Sequence, residues 1–300
     1  MKIFLTGGTG FIGSYVTKAL LDEGHEVTIY ARNPKKVGGF INYPKLSFVQ
    51  GDMLETEKFT AGLAGHDAVI HIALVWSDDV NSLPVFLNDT ASSANLFEAA
   101  GKAGVKKIIH TSSIACFGAA PHNDEGYLMP LDYYGATKCA AEAYLMAVGF
   151  KYNIKVNVVR PGYTFGGPCL DGAFMYNDKR ILNMVESALA DKSMEYVKND
   201  GTQFIWAGDL AKIYAALINS DLNHGYYTSV SADYRTWGQT AQTVIDITGS
   251  KSVINWIDKG LPEHKNPLMD VSKIKDAFGF EFRTDEKMTE HIKYLISTKR

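Results

Sequence analysis

Short apolar runs alternate, through the first half of the chain, with longer segments in which apolar residues recur at helical spacing. Runs of four to eight apolar and β-branched residues are typical of buried strands, and recurrence every three or four positions indicates a helix packed on one face. The predicted strands are residues 2–6, 26–30, 46–50, 68–73, 106–112 and 155–160.

Three helices are predicted between these strands. An apolar stripe runs from Phe11 to Leu20 and ends at Gly24, a typical C-cap glycine, and residues 96–103 and 136–148 show the same spacing. Strand and helix in alternation favour parallel pairing with right-handed crossovers, so we predict an α/β fold with a doubly wound parallel sheet. In such sheets the ligand lies beyond the carboxyl ends of the strands.

The alternation weakens after Arg160-Pro161-Gly162, where glycine, proline and aromatic residues become more frequent. We therefore predict a dinucleotide-binding domain over residues 1–162 and a smaller C-terminal substrate lobe over residues 163–300. Part of that lobe is expected to return to the sheet, so that the two are interleaved.

Composition narrows the function classes. The chain is 46% hydrophobic and 21% charged, which favours a sizeable core over disorder, and its net charge of −3 without a basic cluster argues against nucleic acid as a partner. Three unpaired cysteines, no signal peptide and no apolar run long enough to span a membrane predict a cytoplasmic protein that makes no membrane contact.

Gly7, Gly10 and Gly13 follow the first predicted strand and precede the first helix. Such glycines allow a tight turn, close approach to a pyrophosphate and tight packing of the helix, whose free N–H groups attract phosphate. Because both the strand and the amphipathic helix are present, we predict a dinucleotide cofactor here rather than a purely structural turn.

The end of the second strand distinguishes NADP from NAD. A carboxylate there would bind the ribose 2′-hydroxyl, whereas an arginine suits a 2′-phosphate. The sequence has Arg32 and no carboxylate, with Lys35 and Lys36 following, so we predict NADP, with NAD possible. The alternative is that Arg32 is a solvated loop cation.

Three further polar residues allow two interpretations each. Asp52, after the third strand, could accept a hydrogen bond from the adenine amino group or cap a helix. His71 and His110 lie inside apolar strands, where buried, hydrogen-bonded histidines are expected more often than ligands. No cluster of histidine, cysteine and carboxylate side chains has metal-binding spacing, so no metal is predicted.

Tyr134 and Lys138 are four residues apart at the start of a predicted helix, which places them on one face. An ammonium beside a phenol favours the phenolate, which makes Tyr134 a candidate general acid/base. Ser113, chosen over Ser112 at the end of the fifth strand, could donate to a substrate oxygen that gains negative charge. The alternative for Ser113 is a turn-capping serine.

These motifs occur in an order that resembles the extended short-chain dehydrogenase/reductase family, which includes NAD(P)-dependent epimerases and dehydratases. They are Thr6-Gly7-Gly8-Thr9-Gly10-Phe11-Ile12-Gly13, Gly51-Asp52, His71-Ile72-Ala73, Asn95-Leu96-Phe97-Glu98-Ala99-Ala100, Ser112-Ser113 with Phe117-Gly118, Tyr134 with Lys138, and Arg160-Pro161-Gly162.

The resemblance implies an NAD(P)-binding Rossmann fold and a homodimer through helices at about 90–103 and 134–149. It assigns Ser113, Tyr134 and Lys138 as catalytic residues and Asp52 as an adenine contact. With the glycine turn and Arg32, the predicted cofactor-binding set is Gly7, Gly10, Phe11, Ile12, Gly13, Arg32, Asp52, Met53, Ala73, Leu74, Tyr134, Lys138 and Pro161.

The chain also departs from the family. Ile114-Ala115 follows Ser113 where the family's dehydratases carry Asp-Glu, so dehydration is not expected. Nucleotide-sugar enzymes of the family that this chain resembles carry arginines in two later segments, where they contact the nucleotide's phosphates. The corresponding segments of this chain, residues 201–209 and 261–265, lack those arginines. Cations that could compensate are Lys179, Arg180, His264 and Lys265, while Tyr163, Phe165, Phe174, Tyr176 and Trp206 suit an apolar substrate surface or simply the core.

Three functions follow from the sequence. The first is an NAD(P)-dependent oxidoreductase acting on a small molecule with a secondary hydroxyl or carbonyl. The second is a nucleotide-sugar epimerase that uses the same three residues without net redox. The third is a cofactor-binding regulator that has lost turnover.

Overall fold

The computed structural model describes residues 1–33, 36, 39–40, 43–75, 79, 82–118, 127–170, 172–173, 179–263 and 268–299. The strands are β1 (Lys2–Thr6), β2 (Glu26–Ala31), β3 (Leu46–Gln50), β4 (Ala68–His71), β5 (Lys107–Thr111), β6 (Lys155–Pro161), β7 (Tyr163–Phe165), β8 (Met194–Val197), β9 (Gly201–Thr202), β10 (Phe204–Trp206), β11 (Gly225–Ser229), β12 (Arg235–Thr236) and β13 (Ile254–Ile257). The helices are α1 (Phe11–Asp22), α2 (Thr56–Gly62), α3 (Leu83–Lys102), α4 (Tyr133–Tyr152), α5 (Lys179–Leu189), α6 (Ala207–Asn219), α7 (Trp237–Thr248), α8 (Ser272–Phe278) and α9 (Asp285–Ser297).

Within the described residues, seven parallel strands form the central sheet in the order β11-β6-β5-β4-β1-β2-β3. One face packs against α1 and α6, and the other against α2, α3 and α4, so each face buries its own apolar cluster. The doubly wound α/β fold predicted from the alternation is confirmed. Its strand order reverses next to β1, where α/β sheets open a crevice for ligands.

The six predicted strands differ from the observed ones by at most two residues at either end. Gly24, with φ of +83°, lies just after α1 as the predicted end of that helix requires. The helix predicted at 96–103, however, begins at Leu83. Buried polar residues interrupt its apolar period: Asp89, Ser92 and Ser93 face the protein interior. The helix predicted at 136–148 spans Tyr133–Tyr152.

The chain beyond residue 162 contributes to both parts of the molecule. Strand β11 extends the sheet beside β6, and α6 packs on α1. Helix α8 joins the same cluster through Ile274, whereas α5, α7 and α9 pack around β7 and β10 in a separate apolar cluster. A domain division at residue 162 stays a prediction. No helix in the described part of the chain is long and apolar enough to cross a membrane.

Candidate cofactor and catalytic site

The glycine turn lies against the loop that follows β4. Gly7 has φ of +76°, and a Cβ on Gly7 would lie 2.6 Å from the backbone N of Ala73. A Cβ on Gly13 would overlap the carbonyl group of Gly7, whereas a Cβ on Gly10 would meet the same oxygen at 3.2 Å. Gly7 and Gly13 are therefore required by close backbone approach, as predicted for a turn that holds a pyrophosphate.

The start of α1 has the character of an anion-binding helix terminus. Its N-cap is Gly10, and no side chain caps the first turn. The Gly10 N–H donates to the carbonyl of Gly7 at 2.9 Å, which fixes the turn just before the helix. Phe11 and Ile12, in this first turn, are half-buried. Uncapped N–H groups at a helix start fit the phosphates of a dinucleotide.

Arg32 and Asp52, the residues predicted to contact the adenosine end, lie side by side beyond β2 and β3. The Arg32 side chain is 81% exposed, with its Nε 3.9 Å from the Asp52 carboxylate. That carboxylate accepts the N–H of Leu54 at 3.0 Å. The alternative that Asp52 is a helix N-cap is wrong, because Glu55 occupies the N-cap of α2. Met53 is buried below them.

The loop after β4 and the end of β6 complete this edge of the sheet. Ala73 and Leu74, both half-buried, follow β4, and the Ala73 N–H donates to the Thr6 hydroxyl at 3.3 Å. Pro161, buried, ends β6. These predicted cofactor contacts therefore follow strands whose carboxyl ends meet at one edge, which is where such a ligand is expected.

Ser113 follows β5 in extended conformation and caps the 3₁₀ turn Ile114–Cys116. Its oxygen accepts the Ala115 N–H at 3.1 Å, so Ser113 does cap the turn, as the alternative predicted. The hydroxyl proton is still available, because the cap uses the oxygen as acceptor only. Ser112 is buried instead, with its oxygen 3.2 Å from the Cys116 sulfur.

The start of α4 packs directly on this turn. The Asp132 carboxylate accepts the Gly135 N–H at 2.7 Å and caps the helix, which places Tyr134 in the first turn. A Cβ on Gly135 would lie 2.6 Å from the carbonyl oxygen of Ala115. Only a glycine lets the helix come this near, and the approach brings the Tyr134 turn beside the Ser113 turn.

Tyr134 and Lys138 share one face of α4, as predicted from their spacing. The Lys138 Nζ lies 5.8 Å from the centroid of the Tyr134 ring, and Lys138 is only 4% exposed. Tyr134 is half-buried, and its ring makes a T-shaped contact with the ring of Phe86 of α3. Tyr133 lies off this face and is 42% exposed. An ammonium and a phenol thus meet at the carboxyl edge of the sheet.

Sequence reasoning missed Glu142, which forms a buried ion pair one turn beyond Lys138 on α4. Its carboxylate accepts from the Arg160 Nε at 2.9 Å and Nη2 at 2.7 Å, and the two side chains are 3% and 1% exposed. The Arg160 guanidinium also lies over the rings of Phe117 and Tyr226. The available signal was a glutamate one turn after Lys138 in an otherwise small and apolar stretch.

The two strand histidines differ from each other. His71 is hydrogen-bonded to the hydroxyls of Thr6 at 2.7 Å and Ser93 at 2.9 Å, as predicted. His110 stacks on His71, but neither of its ring nitrogens has a hydrogen-bond partner among the described residues, so that part of the prediction is wrong. Burial lowers the pKa of His71 to about 3. No metal-binding cluster is found in the described ranges.

In the lobe, Gln203 lies in the segment that lacks the family's arginine, and it binds other parts of the lobe. Gln203, buried, donates to the carbonyl of Ser231 at 2.9 Å and accepts the Met269 N–H at 2.7 Å. The Arg180 guanidinium lies 4.9 Å from the ring of Trp237. Phe165 is core, whereas Tyr163 and Trp206 are half-buried and Lys179 is exposed. Lys35, Phe174, Tyr176, His264 and Lys265 lie outside the described residues.

A family model matches most of the chain. The model described as the NAD dependent epimerase/dehydratase family covers residues 3–227. The chain is 26% identical over 318 residues to a UDP-glucose 4-epimerase of Lactobacillus helveticus, with 89% of this chain and 93% of the relative covered. It is also 26% identical to the protein y4nG of Sinorhizobium fredii, of whose length it spans 63%.

Solved structures share the whole fold. The UDP-N-acetylglucosamine 4-epimerase of Methanobrevibacter ruminantium, solved with UDP-N-acetylmuramic acid, superposes with a TM-score of 0.81 at 26% identity, covering 99% of this chain and 98% of that one. The UDP-glucuronic acid 4-epimerase of Bacillus cereus, solved with UDP-glucuronic acid and NAD, has a TM-score of 0.82 at 20% identity, with 99% and 100% covered. At that identity the second likeness concerns the fold alone.

Proposed function

We propose, from the premise that this chain belongs to the NAD dependent epimerase/dehydratase family, that it inverts a secondary hydroxyl of a nucleotide-activated sugar. The match over residues 3–227 confirms the resemblance predicted from the motifs and the prediction that the chain is an enzyme. Of the two catalytic functions predicted, the epimerase is favoured over the net oxidoreductase, because relatives with similar sequences are named as epimerases.

The packing of α4 on the Ser113 turn is the observation that carries the proposal. Gly135 lies against Ala115, so the first turn of α4 and the 3₁₀ turn are in direct contact. Tyr134 and Ser113 therefore both border the carboxyl edge of the sheet, next to the glycine turn that fits a dinucleotide. A hydroxyl, a phenol and an ammonium at this edge match the needs of proton transfer at a carbon-bound oxygen.

Each residue has one role in this chemistry. Ser113, whose oxygen already accepts the Ala115 N–H, donates its own proton to the substrate oxygen. Tyr134 accepts the proton of the substrate hydroxyl as the carbon is oxidised, and it returns that proton when the ketone is reduced on the other face. Lys138 stabilises the phenolate in between. A nicotinamide cofactor held by the turn of Gly7 and Gly13 at the start of α1 would supply the hydride acceptor and donor for this oxidation and reduction.

The test uses two nucleotide sugars with the purified enzyme and, in parallel assays, NAD or NADP. UDP-glucose and UDP-N-acetylglucosamine are incubated separately, and each product is separated from its 4-epimer by chromatography. We expect an epimer to form without accumulation of reduced cofactor. Tyr134→Phe should lower the rate by about 10²–10⁴-fold, because it removes the general acid/base. Tyr133→Phe, on the same turn but off the catalytic face, is the matched control and should retain the parental rate.

A net oxidoreductase is the second candidate, and Gln203 favours it. The lobe uses Gln203 to join Ser231 and Met269, where nucleotide-sugar enzymes resembling this chain carry a charged pair. Accumulation of reduced cofactor in step with product would support this function over the epimerase. If neither assay detects turnover, and Tyr134→Phe leaves every biological effect of the protein unchanged while the cofactor still binds, the non-catalytic regulator is supported instead.

The preference for NADP rests on Arg32. NAD is the cofactor found in the solved structure from Bacillus cereus. The end of β2 in this chain has no carboxylate, a group that would repel a 2′-phosphate. Arg32 is exposed beside Asp52, where it can reach such a phosphate. We expect Arg32→Ala to weaken NADP binding about tenfold and to leave NAD binding unchanged. Equal loss for both cofactors would contradict the preference.

Self-association and location complete the proposal. The helices implicated in a homodimer expose large apolar side chains, among them Leu87, Tyr144 and Phe150. We expect sedimentation to give twice the mass of one chain, and Phe150→Asp to weaken that association. A cytoplasmic location is consistent with the free thiols of Cys116, Cys139 and Cys169.

A further inference from the structure

Asp89 is a buried carboxylate that the proposed chemistry does not use. It lies in the second turn of α3 and is 1% exposed. Its Oδ1 accepts the Val75 N–H at 2.8 Å, which joins α3 to the loop after β4. Its Oδ2 is buried and has no hydrogen-bond partner in the described part of the chain. A buried carboxylate oxygen without a donor is costly, so packing alone does not explain it.

The turn that carries Asp89 packs against the catalytic turn of α4. The Thr137 hydroxyl donates to the Phe86 carbonyl at 3.1 Å, and the rings of Phe86 and Tyr134 are 6.2 Å apart. Asp89 follows Phe86 by one helical turn, and Lys138 follows Thr137 directly. Burial raises the pKa of Asp89, and the Lys138 ammonium and the Val75 N–H oppose that rise.

Glu142, one turn further along α4, is a second buried carboxylate near Lys138, but Arg160 already neutralises its charge. His71 of β4 and His110 of β5 both face the ammonium, and burial lowers the pKa of His71 to about 3 and that of His110 well below its usual range. Burial also raises the pKa of Tyr214, which faces Tyr134 from α6 and shares a hydrogen bond with Thr111. Residues 73–75 of the adjoining loop do not titrate.

We propose that Asp89 is a positioning residue that acts through Lys138 and through the loop after β4. Its Oδ2 is the counter-charge that keeps the buried Lys138 ammonium in place beside Tyr134. Its Oδ1 holds the loop carrying Ala73 and Leu74 against the glycine turn. The inference rests on the proposed function, because Lys138 matters to the reaction only through Tyr134.

Two substitutions separate these two roles. Asp89→Asn removes the charge and keeps an oxygen for the Val75 N–H, so NAD affinity should stay within about twofold. In this variant the Tyr134 phenol should titrate at least about half a pH unit lower than in the parent, because the Lys138 ammonium then acts on it without a counter-charge. Asp89→Glu keeps the charge but displaces the loop, so the titration should stay parental while NAD binds about tenfold more weakly.

The readout is the phenolate absorbance of the NAD-loaded protein across pH, taken as the difference between each variant and the same variant with Tyr134→Phe. Calorimetry gives the NAD affinity, and circular dichroism confirms folding. Asp209→Asn, which removes another buried carboxylate paired with Lys212 on α6, is the matched control and should not move the titration.

The outcomes distinguish this inference from the function beneath it. An unchanged Tyr134 titration in Asp89→Asn, or an equal shift in Asp209→Asn, would overturn the role of Asp89. If Asp89→Asn does not fold, a shifted titration in Asp89→Glu would overturn that role as well. A parental rate of epimer formation in Tyr134→Phe would instead overturn the proposed function, whatever the Asp89 variants do.

Discussion

The sheet layer and the C-terminal lobe each bury an arginine, and they neutralise it differently. In the layer, Arg160 pairs with Glu142, and both side chains are almost fully buried. In the lobe, Arg235 donates to Asp285, which is 78% exposed, and to the neutral oxygens of Thr240, Gln239 and Thr243. The charge of Arg160 therefore depends on Glu142, because water cannot reach it. The charge of Arg235 depends less on Asp285, because that carboxylate is largely solvated.

The same difference extends to the two binding surfaces. In the layer, backbone contacts made by Gly7, Gly13 and Gly135 position the turn proposed to bind the cofactor and the first turn of α4. In the lobe, Gln203 and Arg235 are engaged in holding the lobe together. The proposed cofactor site therefore lies where the backbone packs most closely, and a substrate site in the lobe would depend on the side chains that the fold leaves available.

Removing one carboxylate from each arginine gives the largest expected effect. Glu142→Gln should lower the free energy of unfolding by about 3–5 kcal/mol, because it leaves the Arg160 charge buried without a counter-ion. Asp285→Asn is the matched change in the lobe and should cost less than about 1 kcal/mol, since Asp285 is 78% exposed and Arg235 keeps its neutral hydrogen-bond partners. Urea denaturation measures both. Equal losses in the two variants would remove the distinction between the regions.

The glycine turn should show how strictly the layer depends on backbone contact. Gly13→Ala places a Cβ against the Gly7 carbonyl and should weaken NAD binding about 100-fold, because the turn must shift and misplace the N–H groups that face the phosphates. In Gly10→Ala the added Cβ lies 3.2 Å from the same oxygen, so this variant should bind NAD far better than Gly13→Ala does. Calorimetry with NAD compares them. A Gly13→Ala protein that binds like the parent would contradict the close-approach argument.

Gln203 tests whether lobe side chains serve folding rather than substrate. Gln203→Leu leaves the Met269 N–H and the Ser231 carbonyl unpaired, so it should destabilise the protein by about 2 kcal/mol. Its effect on the Michaelis constant should be small. Loss of substrate binding at unchanged stability would instead make Gln203 a substrate contact.

Acid should destabilise the layer through His71. Because burial lowers the pKa of His71 to about 3, its stabilising contribution is complete above about pH 6.5 and is lost as pH falls from there towards 3. The unfolded chain binds this proton and the folded chain does not, so stability should fall by up to about 1.4 kcal/mol per pH unit. His71→Gln should show a shallower fall in denaturation curves between pH 6.5 and 5, and parallel curves would refute this assignment.

Much of the layer could be predicted because its patterns are local. Strand runs, the glycine spacing and the four-residue step from Tyr134 to Lys138 depend on neighbouring residues. The start of α3 was misplaced because Asp89 and Ser93 are polar and yet face inward, which inverts the usual meaning of a polar residue. Glu142 was missed because it too is polar and faces inward. Its partner Arg160 comes from a distant strand, so no local pattern indicates the pair.

By itself the sequence determined the parallel α/β layer, the glycine turn and the order of the catalytic motifs, since local spacing fixes which residues share a strand end or a helix face. Tertiary structure alone decided that Gly135 admits α4 to the Ser113 turn, that β11 returns to the sheet, and that Asp89, Glu142 and Gln203 are buried with particular partners. Those pairings join residues far apart in the chain, and no spacing along a sequence encodes a contact that only packing creates.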